Sequence, residues 1–402
     1  MSWPMVELKK LVLKVDKWNP VKDGGDDQIT YIDLSSVDKD SKAIKNEDVQ
    51  KIQACLAPSR ARQLVDSADV LVATVRPNLN GVALVSSDYQ GATASTGYCV
   101  LRPNNKLLDS KYLFYWVQTE SFVSDMMGKA TGANYPAVSD KIVKESQIPL
   151  PPLDEQKRIA AILDKADAIR QKRKQAIALA DEFLRSVFLE MFGDPVTNPK
   201  GWEVKPFGDV IETLTDYHAN GSYKTLNANV TLLDEPNYAY MVRTTDLEKK
   251  NYVDGVKYID QHAYEHLSKS KVFGGEIIVN KIGSAGSLYL MPTLNRPVSL
   301  AMNQFLVRCK SGHLNEFYYY QLSTEAGHRE IQKRVQGAVT KTITKDALRE
   351  ISVISPSLHE QKEFLKIVNA YKANLEEKLT TSLNMSVLSF ESLSQKAFSG
   401  QL

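Results

Sequence analysis

The spacing of apolar positions changes character at Ile148. From there to Phe192 the chain reads IPLPPLDEQKRIAAILDKADAIRQKRKQAIALADEFLRSVFLEMF. Pro149, Pro151 and Pro152 keep the opening residues out of a helix, because each lacks an amide proton and restricts the residue before it. Then Ile162, Ala166, Ile169, Arg173, Ala176, Ala180, Phe183 and Val187 recur at alternating intervals of four and three. The pattern predicts one long helix over 153–192 whose seam has a seven-residue period, the spacing of supercoiled pairs rather than of a lone surface helix. At ~1.5 Å per residue, roughly 38 residues make a rod of about 57 Å. No small core needs a rod of that length, so the pattern calls for a partner helix.

The chain supplies that partner by repeating itself. Val353–Phe364 reads VISPSLHEQKEF, against IPLPPLDEQKRI at Ile148–Ile159. Pro151 falls on Pro356, Leu153 on Leu358, and Glu155-Gln156-Lys157 on Glu360-Gln361-Lys362. A second helical pattern follows, with Phe364, Val368, Tyr371, Leu375, Leu379, Phe390 and Leu393 as its apolar positions, and Phe398 parallels Phe192. Upstream, Lys129-Ala-Thr-Gly-Ala133 falls on Arg334-Val-Gln-Gly-Ala338, and Lys111-Tyr-Leu-Phe-Tyr115 on Glu316-Phe-Tyr-Tyr-Tyr320. A period of about 200 residues is a duplicated domain, not a solenoid. The expected fold is α+β: two tandem mixed α/β domains, at 1–152 and 195–356, separated by two long helices, at 153–192 and 357–402, packed as an antiparallel coiled coil.

Along the first domain, Thr30–Leu34, Asp69–Arg76 and Tyr98–Leu101 read as strands, and Ser110–Met127 as aromatic-rich helix. Gly193-Asp-Pro195 and Asn198-Pro-Lys-Gly201 stop the long helix and open the second domain. There Trp202–Phe207 restates Trp3–Leu8, Tyr240–Thr245 answers Tyr31–Ser36, and Glu276–Gly286 answers Asp69–Gly81 with a shorter loop. Elsewhere the copies share little. A common skeleton with divergent loops suits two copies tuned to different ligands, and plain drift after duplication leaves the same spacing.

Composition narrows the classes. A chain of 402 residues has room for two cores, and its formal net charge of +2 gives no support by itself for nucleic-acid binding. Any DNA-facing surface must be a local patch. No apolar run can span a membrane and the start lacks a signal-peptide stretch, so the cytoplasm is expected. Cys55, Cys99 and Cys309 are scattered and apolar-flanked, the pattern of reduced, buried thiols. There is no phosphate-binding glycine loop and no Asp/Asn-Pro-Pro-aromatic box of an amino-methyltransferase. His262 and His266 lack a third metal ligand, Glu203–Lys205 and Glu248–Lys250 match only the short tail of a nuclease motif, and Ser284 and Ser287 have no histidine near them in sequence. Catalysis by this chain alone is not expected, and no metal or cofactor is expected on it.

At PLPPLDEQKRI, at the helix that ends in Phe192-Gly-Asp, and at Gln395-Lys-Ala-Phe-Ser-Gly-Gln-Leu402, the chain resembles the specificity subunit of type I restriction-modification systems. Pro58-Ser-Arg-Ala-Arg62, Thr74-Val-Arg-Pro-Asn78, Trp202-Glu-Val204 and Gly275-Glu-Ile-Ile-Val279 add to a resemblance that covers the whole chain. The second copy departs as Ser-Pro-Ser-Leu-His-Glu-Gln, where Ser357 and Glu360 have capping-box spacing. The resemblance implies two target-recognition domains, each reading one half of a split site on double-stranded DNA, and paired helices that act as a spacer. It implies two methyltransferase (modification) subunits that use S-adenosylmethionine to methylate adenine. It also implies motor–nuclease (restriction) subunits that use ATP and Mg. Two domains on a rigid spacer fix a half-site separation, as dimer spacing does for palindromic readers. Changing the spacer should change the gap and not the bases read.

DNA contacts need Lys, Arg or loop amides for phosphates and Arg, Asn, Gln, Ser or Thr at loop tips for bases. In the first domain the loops Ser59–Arg62, Arg76–Asn80 and Lys129–Tyr135 combine these, and the candidates are Arg60, Arg62, Arg76, Asn78, Asn134 and Tyr135. In the second, Arg243–Thr245, Lys281–Ser287 and Lys333–Lys341 nominate Arg243, Lys281, Ser284, Arg334 and Lys341. Each is also an ordinary surface charge or turn former. Phe317–Tyr320 is expected in a helix core, and Arg170–Lys174 reads first as a solvated face. The competing readings are a duplicated protein-binding scaffold without DNA specificity and, disfavoured by the missing motifs, a nuclease or methyltransferase.

Overall fold

A computed structural model describes residues 3–132, 135–373 and 377–402. The chain forms two compact units, Met1–Ala176 with Leu379–Leu402, and Ile177–Lys378.

In the first unit the entering strand Met5–Glu7 pairs antiparallel with Gln147–Pro149. One sheet has the order Val12–Leu13, Tyr98–Pro103, Val70–Ala73, Val82–Leu84, all antiparallel. Its centre is Val70-Leu-Val-Ala73, a nearly unbroken apolar run because both faces are covered. The other sheet runs Gln50–Gln53, Gln28–Ile32, Thr93–Ser95, Ala61–Leu64, with Gln28–Ile32 and Thr93–Ser95 parallel. The aromatic stretch divides into the helices Ser110–Trp116 and Glu120–Lys129, capped by Asp109 and Thr119.

The second unit repeats this strand for strand. Val204–Pro206 pairs with Ser352–Ile354. One sheet is Ile211–Asp216, Gln304–Cys309, Ile277–Asn280, Leu288–Leu290. The other is Lys257–Ile259, Ala239–Val242, Val298–Leu300, Lys271–Val272, again with a parallel pair in the middle. Even the entry turn matches: the amide of Leu8 donates to Ser146 O and that of Phe207 to Ile351 O, and both side chains are buried.

The helix Leu153–Phe192 is 40 residues long and is divided between the units. In the first unit Ile159, Ala160 and Leu163 join one core with Phe390 and Ala397 of the helix Glu377–Ser399. Arg158 reaches Leu402 O, Arg170 lies 4.8 Å over the Phe390 ring, and Arg173 reaches Ser382 O. Partner numbers fall as helix numbers rise, so this pair is antiparallel. In the second unit Leu184, Phe188 and Phe192 pack with Phe364 and Val368 of the helix Leu358–Tyr371. Phe183 meets Tyr371 and Phe188 meets Phe364, with ring centroids 5.2 and 5.5 Å apart, antiparallel again. Ser357 and Glu360 form the expected capping box.

Three expectations need correction. The buried face of the long helix is Ile159, Leu163, Ala180, Leu184, Phe188 and Phe192, shifted from the expected seam, whose Ile169 and Phe183 are 49% and 48% exposed. A helix that packs on both a partner helix and a sheet core needs a wider apolar stripe than a heptad seam, and the seam captured one edge of it. Cys55 is exposed, on a short turn, whereas Cys99 is buried and Cys309 half-buried; burial pushes both of the latter thiols up to about 12. The stretch Arg170–Lys174 is a solvated face only in part: Lys172 and Lys174 are exposed, but Arg170 pairs with Asp167 and lies over Phe390, and Arg173 is bonded to Ser382. Phe317, Tyr318 and Tyr320 do lie in the core. Leu375 falls outside the described residues, and no helix among those described is long and apolar enough to cross a membrane.

The repeated Glu-Gln pair has a structural basis. Gln156 is buried; its Oε1 accepts from the Asp109 amide at 2.9 Å, and its Nε2 donates to Leu107 O at 3.0 Å and Pro151 O at 2.9 Å. Gln361 does the same with the Leu314 amide, Gly312 O and Pro356 O. Each glutamine ties the start of its long helix to the loop before the aromatic helix.

Candidate nucleic-acid interface

Loops distant in sequence meet at one place in each unit. In the first, the chain leaves the strand Val70–Ala73 through Thr74, whose carbonyl accepts from the Val138 amide at 2.9 Å. The Arg76 amide donates to Pro136 O at 2.7 Å, and Thr131 and Ala137 exchange both backbone bonds across the base of the second loop. Gly132 turns that loop at φ +98, where a Cβ would strike the Tyr135 carbonyl. Arg76 and Tyr135 are thereby brought into contact, the guanidinium lying 4.5 Å from the ring centre. Asn78 is exposed beside them; Asn134 lies outside the described residues. The third stretch joins through a turn, since Thr96 donates its amide to Arg60 O and Thr74 donates its amide to Gly97 O. Arg60 is exposed, whereas Arg62 is half-buried with its guanidinium on Ala61 O.

The second unit uses the same frame. Ile343 donates to Lys281 O, Gly283 to Lys341 O, and Gln336 and Thr342 exchange both bonds, with Gly337 turning the loop at φ +103. Lys281, Ser284 and the exposed Lys341 come together here. A polar chain holds the glycine loop: Thr244 Oγ1 donates to Asn280 Oδ1 at 3.0 Å, Asn280 Nδ2 to Ser284 Oγ at 2.8 Å, and Ser284 Oγ to Glu248 Oε1 at 3.1 Å. Two candidates have structural duties. Arg243 is held by Asp246 at 2.7 Å and by Gly255 O. Arg334 is held by Glu330 at 3.1 Å and by Glu350 O.

Sequence reading did not single out Asn280, Lys345 or Asp216. Lys345 and Lys281 flank Asp216 at 3.0 and 3.4 Å, and both ammonium groups lie within 6 Å of the Phe305 ring centre, at 5.7 and 5.6 Å. The repeat could have flagged the site, because Lys345 aligns with Asp140, which faces Lys17 at 4.0 Å, an ion pair of opposite polarity. Burial raises the Asp216 pKa, but the bond to Lys345 and the field of both lysines outweigh it, so the net shift is downward from 3.8. A depressed carboxylate stabilises the fold above its unfolded pKa and loses that contribution as pH falls through the folded value. Denaturant unfolding followed from about pH 5 to about pH 2 should therefore show a steeper loss in the parent than in Asp216→Asn. Equal slopes would mean that the lysines do not hold this carboxylate.

The type I restriction modification DNA specificity domain model matches residues 64–179 and 199–385. The MjaVIII type I restriction enzyme specificity subunit of Methanocaldococcus jannaschii is 25% identical over 280 residues, 65% of this chain and 63% of that one. The MjaIX specificity subunit of the same organism is 24% identical over 201 residues, 45% of each chain. The chain therefore spans less than two thirds of the length of either relative. Among solved structures, the HsdS subunit from Thermoanaerobacter tengcongensis aligns over 100% of this chain and 97% of its own, at 24% identity and a TM-score of 0.45.

Proposed function

Because the chain belongs to the type I restriction modification DNA specificity family, we propose that each unit reads one half of a split target on double-stranded DNA. The observation that carries this reading is the shared loop frame with different contents. Both units close the same pair of loops with the same backbone bonds, yet Arg76 and Tyr135 line one frame and Ser284 and Lys341 the other. Constant backbone with variable tips is what two readers of different sequences require, since phosphate contacts set register and side chains at base edges set sequence. Arg60, Lys281, Lys345 and Lys341 would supply phosphate contacts, and the helices that run through both units would set the gap. Chemistry belongs to partners in this reading: two modification subunits with S-adenosylmethionine methylate adenine, and restriction subunits with ATP and Mg cut unmodified DNA.

The test is DNA binding by the chain assembled with its modification subunit, across salt. Phosphate neutralisation releases counterions, so affinity should fall about 10³-fold or more between roughly 50 and 200 mM salt if six or more phosphates are engaged. Sequencing of methylated adenines should give one split motif that disappears when the chain is removed. A flat salt dependence with no motif would favour the protein-binding scaffold.

A further inference from the structure

The two units differ at one backbone position in a way that singles out a side chain. Thr74, Val75 and Arg76 occupy the places of Lys281, Ile282 and Gly283, because the same bonds are made: Val138 to Thr74 O and Ile343 to Lys281 O, Arg76 to Pro136 O and Gly283 to Lys341 O. The bridges Val75–Ala137 and Ile282–Thr342 complete the match. Gly283 has φ +88, as this place in the frame requires, and Arg76 takes it at φ +51. The left-handed region disfavours a residue with a Cβ, and arginine is not among the few that visit it readily. Glycine would sit there without strain, so it is the arginine side chain that needs a reason.

That side chain leads out to a platform. The guanidinium lies over Tyr135, which is 67% exposed at the tip of the neighbouring loop. Arg76 is exposed, and among the described residues no carboxylate pairs with it. Contact with the ring limits where the guanidinium can swing, and its N–H groups are left open. Two parallel donors on a planar guanidinium match O6 and N7 of guanine in the major groove. A phosphate contact needs no planar fork, and a lysine on relaxed backbone would serve it.

We propose that Arg76 reads a guanine in the half-site of the first unit and that Tyr135 is its positioning residue; this rests on the DNA-specificity reading above. The second unit, with Gly283 in that place, reads its half by other groups.

The experiment compares the full chain, assembled with its modification subunit, with the same assembly carrying R76G, R76K, Y135A or Y135F. Adenine methylation is measured on a DNA library in which each position of the parent motif is varied singly. R76G is expected to lose roughly 5- to 150-fold of discrimination at one G·C position in one half, with the other half and the gap unchanged. R76K should recover only part of this, because its ammonium is a point charge. Y135A should weaken the same position and Y135F should restore it. R76G gives the backbone the residue that the second unit uses there, so it should melt no lower than the parent. A parent motif with no G·C pair in either half, or R76G as selective as the parent, overturns the proposal. So does an equal drop on every library member, which would assign the side chain to a phosphate. If the parent assembly selects no split sequence at all, the specificity reading fails and this proposal fails with it.

Discussion

Replacing Arg102 with alanine is expected to destabilise the first unit by about 3–5 kcal/mol, the cost of leaving a buried charge without its partner. Asp69 is 1% exposed. Arg102 meets it with a two-point fork, Nε to Oδ1 at 2.9 Å and Nη2 to Oδ2 at 2.8 Å, and also bonds Leu64 O and pairs with Asp66. The hydrogen bonds to Asp69 raise the arginine pKa further, so the fork stays charged. The second unit has a related pair: Arg308 donates Nη2 and Nε to one oxygen, Oε1, of Glu276, which is 2% exposed, at 3.0 and 3.2 Å. Arg308→Ala should do to the second unit what Arg102→Ala does to the first. Lysine should not rescue either, since it lacks the planar fork. Removing both charges, as Arg102→Met with Asp69→Leu, should return most of the loss. Denaturant unfolding with a probe in each unit reads all of this; a loss below about 1 kcal/mol for Arg102→Ala would place the pair with ordinary surface ion pairs.

Gln156→Ala is the second large effect expected. It removes the partner of one amide and two carbonyls at a junction where the Pro151 bond is buried and the other two are half-buried, so a loss of roughly 2–3 kcal/mol is expected. Gln156→Glu should be no better, because a carboxylate cannot donate to Leu107 O and Pro151 O and brings a charge into the site. The Asp109 amide should lose its hydrogen-exchange protection in either variant. Gln361→Ala should act on the Leu314 amide in the same way, and the two changes should add, because they share no partners. Protection of the Asp109 amide that survives Gln156→Ala would show that the latch is not what holds the loop.

The Glu-Gln signature was visible as a repeat, but its purpose was not. Spacing marks where a helix begins; which carbonyls a glutamine reaches depends on a loop about 50 residues upstream in each copy. The same limit applied to the candidate contacts. Arg76, Arg243 and Arg334 look alike in sequence, each an arginine in a polar stretch. Folded, Arg243 and Arg334 are struts on Asp246 and Glu330, while Arg76 ends on an exposed tyrosine. Asp246 and Glu330 lie three and four residues from their arginines, so spacing alone could have flagged both ion pairs. The Lys281–Asp216–Lys345 cluster left no such local trace.

What the sequence determined by itself is what near neighbours control. The prolines at 149–152, the capping pair Ser357 and Glu360, the glycines at 132 and 337 and the runs of apolar strand residues act within a few positions, so the duplication, the element order and the candidate loops follow from them. Tertiary structure decided the rest. The seam of the long helix turned out wider than a heptad because sheet cores as well as a partner helix cover it. The helix Glu377–Ser399 completes the core of the first unit and not of the second, and loops some 60 residues apart close on one another through backbone bonds. Those outcomes depend on which surfaces are left to be covered once every element has formed, and that is a property of the assembled cores rather than of any stretch of chain.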